Sequence, residues 1–246
     1  MALEFFDCNA QIGKFSTPTP DSFFTGKELV ENLTRCGISR ALVYHSLALE
    51  WHPAEGNEHV FSEIEGLPFE PAWVVMPHHC GDFPGPRDLV QLMRKRKVGA
   101  VRVYPTTHQW RLADWCAGDL FSALEGARIP VLLDLGQTNF DEVQALLAAH
   151  PLLPMVLLRT SYRCDRYIYP LFERYPNFAI ESGGYQATGG IEAIVERFGA
   201  RTLVFGTGAP LTEPGAAVTQ ITYADISDAD KTAIAGGNLR RIISWR

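Results

Sequence analysis

Eight times along this chain a short run of β-branched and apolar residues is followed by a longer stretch with helical spacing. The short runs are EFFDCNAQ (4–11), RALVYHS (40–46), PAWVVMPHH (71–79), GAVRVYP (99–105), PVLLDLG (130–136), PMVLLRTS (154–161), NFAIESGG (177–184) and RTLVFGTG (201–208). Most are continuously hydrophobic rather than alternating, the pattern of parallel strands covered on both faces. No linker or composition break interrupts the series, so the 246 residues are expected to form one domain of α/β class, a (β/α)8 TIM barrel. The rival, a doubly wound open sheet, calls for a glycine-rich phosphate turn after the first strand, and none is there. GGYQATGG (183–190) is rich in glycine but lacks the GxxxxGK[ST] order, so it reads as an ordinary strand-to-helix loop.

The intervening stretches carry helix signals. GKELVENLTRCG (26–37) sets Leu29, Leu33 and Cys36 on one stripe, with Thr25 placed to cap its start. NFDEVQALLAAH (139–150) offers Asn139 as cap, acids in the first turn, and Val143, Leu146 and Leu147 facing inward. GGIEAIVERFGA (189–200) spaces Ile191, Ile194, Val195 and Phe198 along one face, and Gly199 stops it. GPRDLVQLMRKRK, GDLFSALEGA and YIYPLFERYP have similar periodicity, and Pro170 is expected in a first turn, where proline is tolerated. Residues 51–66 give the weakest pattern.

A net charge of −6 leaves no basic footprint for nucleic acid, and the basic run Arg94 to Lys97 reads as the solvated end of a helix. Five cysteines, Cys8, Cys36, Cys80, Cys116 and Cys164, show no C-x-x-C pairing, which points to reduced thiols and a cytoplasmic setting. MALEFFDCNAQ has no basic segment or long apolar run of a signal peptide, and no window is apolar enough for a membrane span.

In such a barrel the chemistry gathers where strands end. With side chains alternating along a strand, Asp7, Asn9 and Gln11 share one face, and Cys8 is expected on the other, toward the helices. The second strand ends in Tyr44, His45 and Ser46, the third in His78 and His79. The fourth carries Arg102 and Tyr104, the fifth Asp134 with Gln137 just beyond, the sixth Arg159, the seventh Glu181, the eighth Thr207 and Gly208. Charges in a barrel mouth are expensive unless paired or ligand-bound. Two arginines beside two carboxylates therefore admit two readings. One is a salt-bridge network that fills the mouth. The other is an anion pocket, in which Arg102 and Arg159 fork a substrate carboxylate and Asp134 or Glu181 acts as base.

These motifs resemble the amidohydrolase superfamily, in its amidohydrolase-related branch. That family opens on D-x-H-x-H-x-G, where this chain has Asp7-Cys8-Asn9-Ala10-Gln11-Ile12-Gly13. It carries F-G-[ST]-D-x-P on strand eight, where FGTGAP (205–210) sets Gly208 in place of the aspartate. Asp134 falls where strand five often supplies a ligand, and Arg159 falls at the strand-six histidine. ISDADKTAIAGGNLRRI (226–242) matches the closing helix, and GAVRVYPTTHQWRLAD (99–114) the fourth strand and loop. The resemblance implies a metal-dependent-hydrolase-like barrel whose ligands are replaced. Asn and Gln are neutral, weak donors, Arg159 repels a divalent ion, and Gly208 supplies nothing. No metal and no other cofactor is expected.

Adjacent His78 and His79 on a strand would face opposite ways, so only His45 and one of that pair can reach the mouth. His52, His59, His108 and His150 read as surface or packing residues. The resemblance implies a metal-independent hydrolase or lyase, lactonase- or decarboxylase-like, acting on a small anionic substrate. Arg102 and Arg159 would anchor it, Asn9, Gln11 and Gln137 would orient it, and Asp134, Glu181, His45 and His78 would move protons. A carboxylate between two arginines should have a depressed pKa and be a poor base. The alternative is a non-catalytic ligand- or partner-binding barrel, and Arg159 plugging the mouth by pairing with Asp134 or Glu181 would favour it. The sequence sets no oligomeric state, though barrels of the family it resembles often associate into homo-oligomers through their helical faces.

Overall fold

The computed structural model describes residues 3–17 and 23–245. Eight parallel strands form one sheet in chain order: β1 Phe5–Ile12, β2 Ile38–His45, β3 Phe69–Val74, β4 Ala100–Val103, β5 Val131–Asp134, β6 Met155–Leu158, β7 Phe178–Glu181 and β8 Leu203–Val204. The sheet closes on itself. Cys8 N–H donates to Phe205 O at 2.9 Å, Gly208 N–H to Asn9 O at 2.8 Å, and Gln11 N–H to Ala209 O at 2.9 Å. The (β/α)8 barrel read from the strand count is the fold. No helix among the described residues is long and apolar enough to cross a membrane.

Two apolar layers follow from the strand alternation. Val43, Val101, Val131, Leu133, Leu157 and Ile180 pack outward against the helices. Phe6, Leu42, Val74, Leu132, Val156 and Val204 fill the barrel itself. Strands covered on both faces have no need of a polar side, hence their unbroken hydrophobic runs.

Several helix ends obey the local signals. Thr25 and Glu28 form a reciprocal capping box at Gly26–Arg35, with Leu29 and Leu33 buried. Asn139 Oδ1 accepts from Glu142 N–H and caps Phe140–Ala149. Gly199 ends Gly190–Phe198. The weakest stretch resolves into Pro53–Ile64, capped by His52 Nδ1 accepting from Ala54 N–H, preceded by the single turn Leu47–Glu50.

Three local expectations are corrected. Pro170 lies inside the helix Asp165–Arg174, not in its first turn, because that helix begins at Asp165; the proline leaves one backbone carbonyl without its helical donor. β3 stops at Val74, so His78 and His79 sit in a loop rather than on the strand; Pro77, lacking an N–H, does not extend a ladder. β8 has only two residues. The chain leaves it through Gly206, where a Cβ would lie 2.6 Å from Glu181 Oε1 and 2.8 Å from Cys8 Sγ, and Gly208, at φ +77°.

The tail runs as one helical segment, Asp228–Thr232 and Asn238–Ile242, joined by a π-helical turn at Ala233–Gly237. Buried Asn238 donates through Nδ2 to Ala200 O and Leu203 O, both at 2.8 Å, and so ties the tail to the start of β8.

Candidate active site at the barrel mouth

A bulge in β1 shapes the mouth. Asp7 pairs with Ala41 and Ala10 with Val43, so three steps on β1 oppose two on β2. The extra residue breaks the alternation. Cys8 turns into the barrel with Phe6, Leu42 and Tyr44, not toward the helices as its parity predicted. Asn9 also serves the mouth, and Asp7 leaves the shared face for the seam between β1 and β8. There its carboxylate accepts from Asn9 N–H at 2.8 Å, from Thr207 N–H at 3.0 Å and from the Thr207 hydroxyl. Burial outweighs these donors and lifts the Asp7 pKa to about 6.

Asn9 is the hub of the mouth. Its Oδ1 accepts from Arg102 Nη1 at 2.7 Å, and its Nδ2 donates to Glu181 Oε1 at 2.7 Å. Glu181 Oε2 accepts from the backbone N–H of Arg159 at 3.0 Å, presented by a left-handed turn at φ +56°. The Arg102 guanidinium lies 4.3 Å from the Tyr44 ring centre and 5.7 Å from that of Tyr104, a cation–π seat. Desolvation works against its charge, but Tyr104, Tyr44, Asp134 and Glu181 more than offset this and raise its pKa. Arg102 forms no ion pair with a carboxylate among the described residues. Its Nε, and Nε2 of Gln11, are buried donors without a partner. Gln11 uses its other end, Oε1, to accept from the Tyr44 hydroxyl.

Glu181 departs from expectation in its acidity. Two arginines do lower its pKa, yet desolvation is the larger effect and the net shift is upward. Cys8, beside it, has its thiol pushed up by burial first and then by Glu181 and Asp7. The thiol is protonated at neutral pH.

Arg159 Nε lies 3.1 Å from Asp134 Oδ2, with 52% of the arginine side chain exposed. The two form a rim pair above the buried Arg102–Asn9–Glu181 chain. Asp134 Oδ1 accepts from Gly136 N–H. Gln137 braces two loops rather than pointing free: its Oε1 accepts from Thr107 N–H at 3.0 Å and its carbonyl from the Thr106 hydroxyl at 2.8 Å.

The histidines are placed elsewhere. Tyr44 takes the inward position at the end of β2, so His45 faces outward, opposite Ile12. It accepts from Leu47 N–H through Nδ1 and lies 5.5 Å from the His59 ring. Burial, then His59, lowers its pKa. His78 turns to Asp119, its Nδ1 3.5 Å from Oδ2. Neither histidine joins the network. Residue reading missed Tyr44 as the seat for Arg102 and Thr207 as the partner of Asp7. Tyr44 stands at the end of β2 and Thr207 in the segment just after β8, and that placement was the available signal.

A parallel eight-stranded barrel with a polar cluster at the carboxyl ends of β1, β4, β5, β6 and β7 has the architecture of amidohydrolase-type enzymes. Residues 71–244 match the sequence profile of the amidohydrolase family, and the chain belongs to that family. No curated protein sequence matches it. Among solved structures it is similar to an uncharacterized TIM-barrel protein from Bordetella bronchiseptica, at 16% identity and TM-score 0.75, covering 99% of both chains. It is also similar to a 5-carboxyvanillate decarboxylase from Novosphingobium aromaticivorans complexed with manganese and 4-hydroxy-3-methoxy-5-nitrobenzoic acid. There the identity is 10% and the TM-score 0.77, over 98% of this chain and 96% of that one. A 4-oxalomesaconate hydratase from Rhodopseudomonas palustris gives 13% identity and TM-score 0.71, over 98% and 96%. At these identities the likeness is one of fold.

The mouth does not fit a divalent metal. Both ends of the Asn9 amide are engaged, Gln11 Oε1 is held by Tyr44, Arg159 brings a fixed cation, and Gly208 brings no side chain. Each oxygen of Glu181 also accepts one hydrogen bond. A metal needs roughly three or more charged or imidazole donors free to converge.

Proposed function

We propose that this protein is a lyase or hydrolase of amidohydrolase type that acts on a small carboxylate-bearing substrate without the family's divalent ion. One observation carries the reading. The mouth holds a buried arginine with no carboxylate partner, and it and Gln11 each keep a buried donor unfilled. An unsatisfied buried donor costs about 1–3 kcal/mol, and a ligand carboxylate or carbonyl oxygen would fill it. The rim arginine, Arg159, exchanges Asp134 for the incoming anion in this reading. Glu181 is the proton-transfer group. Burial raises its pKa above the usual carboxylate value, which makes it a better proton acceptor than an exposed carboxylate. Asp134, displaced from Arg159, orients water or the leaving group.

The test is a panel of lactones and small mono- and dicarboxylic acids, assayed before and after exhaustive chelation. Turnover should survive chelation, and Glu181→Gln should lower kcat about 10²-fold or more with little change in KM. Arg159→Ala should act mainly on KM. Activity that vanishes with chelator and returns with Mn2+ or Zn2+ would overturn the metal-free mechanism. Tight carboxylate binding with no turnover would instead establish a non-catalytic binding barrel, the role that the Arg159–Asp134 pair favours.

A further inference from the structure

Outside the mouth network, the loop leaving β3 and the helix Asp114–Ala127 bring together His78, His79 and Asp119. One ligand atom from each lies within 4.8 Å of the other two. Adjacency on a strand would have turned the two histidines apart. In the loop their rings stand 4.7 Å apart, tilted by 41°.

Asp119 and His79 each have one coordinating atom committed elsewhere and one left over. Asp119 Oδ1 accepts from Leu120 N–H at 2.7 Å, leaving Oδ2 toward His78. His79 Nε2 lies 3.2 Å from Cys116 O. A carbonyl only accepts, so Nε2 carries the proton and the lone pair sits on Nδ1. A metal-bound histidine is commonly held in this way, its second nitrogen donating to a backbone carbonyl. His78 Nδ1 is shielded from solvent and has no hydrogen bond. It lies 3.5 Å from Asp119 Oδ2. Two donors on a tetrahedral zinc, each at about 2.0–2.1 Å, stand roughly 3.3 Å apart, so this separation leaves room for an ion between them and little else.

We propose that His78, His79 and Asp119 form a divalent-cation site for Zn2+ or a similar borderline metal, with water completing the coordination. Two imidazoles and one carboxylate select that class over Mg2+ or Ca2+, which prefer all-oxygen shells. The ion would cross-link the β3 loop to the helix that follows β4. The site shares no residue with the mouth network and does not depend on the activity proposed for it.

The experiment is zinc titration of the untagged full chain, stripped with chelator, by calorimetry and by competition with a chromophoric chelator. One equivalent should bind. Asp119→Asn and His79→Ala should each weaken binding about tenfold or more, and Glu181→Gln should leave the stoichiometry unchanged. Both substituted positions are exposed, so thermal unfolding without metal should match the parent and excludes a folding defect. Cobalt substitution should give an absorption spectrum with no thiolate charge-transfer band. The site is refuted by absence of stoichiometric binding, by binding that survives both substitutions, or by binding lost in Cys80→Ser, which would assign the ion to a surface thiol.

Discussion

Asp7 shows how a single residue can keep its identity while its role changes. In the family pattern it opens a metal-binding strand. Here three donors and complete burial make it part of the seam, with its pKa raised from an ordinary 3.8 to about 6. The folded protein therefore holds this proton more tightly than the unfolded chain. The stability it contributes is present below about pH 4 and is lost as pH rises through 6, on the order of 3 kcal/mol. Glu181 shifts in the same direction. Asp7→Asn keeps an oxygen for the two backbone donors and removes the titration. Its unfolding free energy by urea denaturation should be flatter than the parent's between pH 4 and 6. Equal slopes would show that Asp7 is not the group responsible.

Most helix ends of this fold follow local chemistry, and one departure tests the rule. The capping box at Thr25 and Glu28 and the caps at Asn139 and Gly199 fall where the sequence sets them. Pro170 does not. It sits mid-helix and exposed in Asp165–Arg174, because the helix starts earlier than its apolar pattern does. The packing of Ile168, Leu171 and Phe172 against the core offsets the missing hydrogen bond. Pro170→Ala should restore that bond at the expense of a more flexible unfolded chain, a net gain of about 2 kcal/mol. A raised midpoint in thermal or urea unfolding checks this; a lowered one would mean that the proline contributes more to the folded state than the bond it forgoes.

At the scale of the molecule, closing the barrel is the decisive event. β8 is too short to close it by strand pairing alone, so the seam depends on β1, the segment 205–209 and the tail helix. Asn238 is the fastening point, holding two carbonyls at the start of β8. Asn238→Ala removes the side-chain donor from two buried carbonyls, of which Ala200 O keeps the Leu203 N–H, and should cost about 1–3 kcal/mol. Urea unfolding should show the loss as a lower midpoint with an unchanged slope. A change within experimental error would mean that the tail only covers the barrel end.

The order and number of strands, the helix faces and most caps were legible in the sequence, because they depend on periodicity and on contacts between near neighbours. The strand-end composition also identified Arg102, Arg159, Asp134 and Glu181 as the charges of the mouth. Three things were decided only in three dimensions. A bulge, visible only in the register of β1 against β2, sent Cys8 inward and Asp7 to the seam. The strand boundaries at Val74 and His45 set which histidines leave the site and let His78 and His79 converge on Asp119. Burial overturned the pKa argument for Glu181, since counting neighbouring charges omits desolvation, and desolvation exists only once the barrel has closed around the carboxylate.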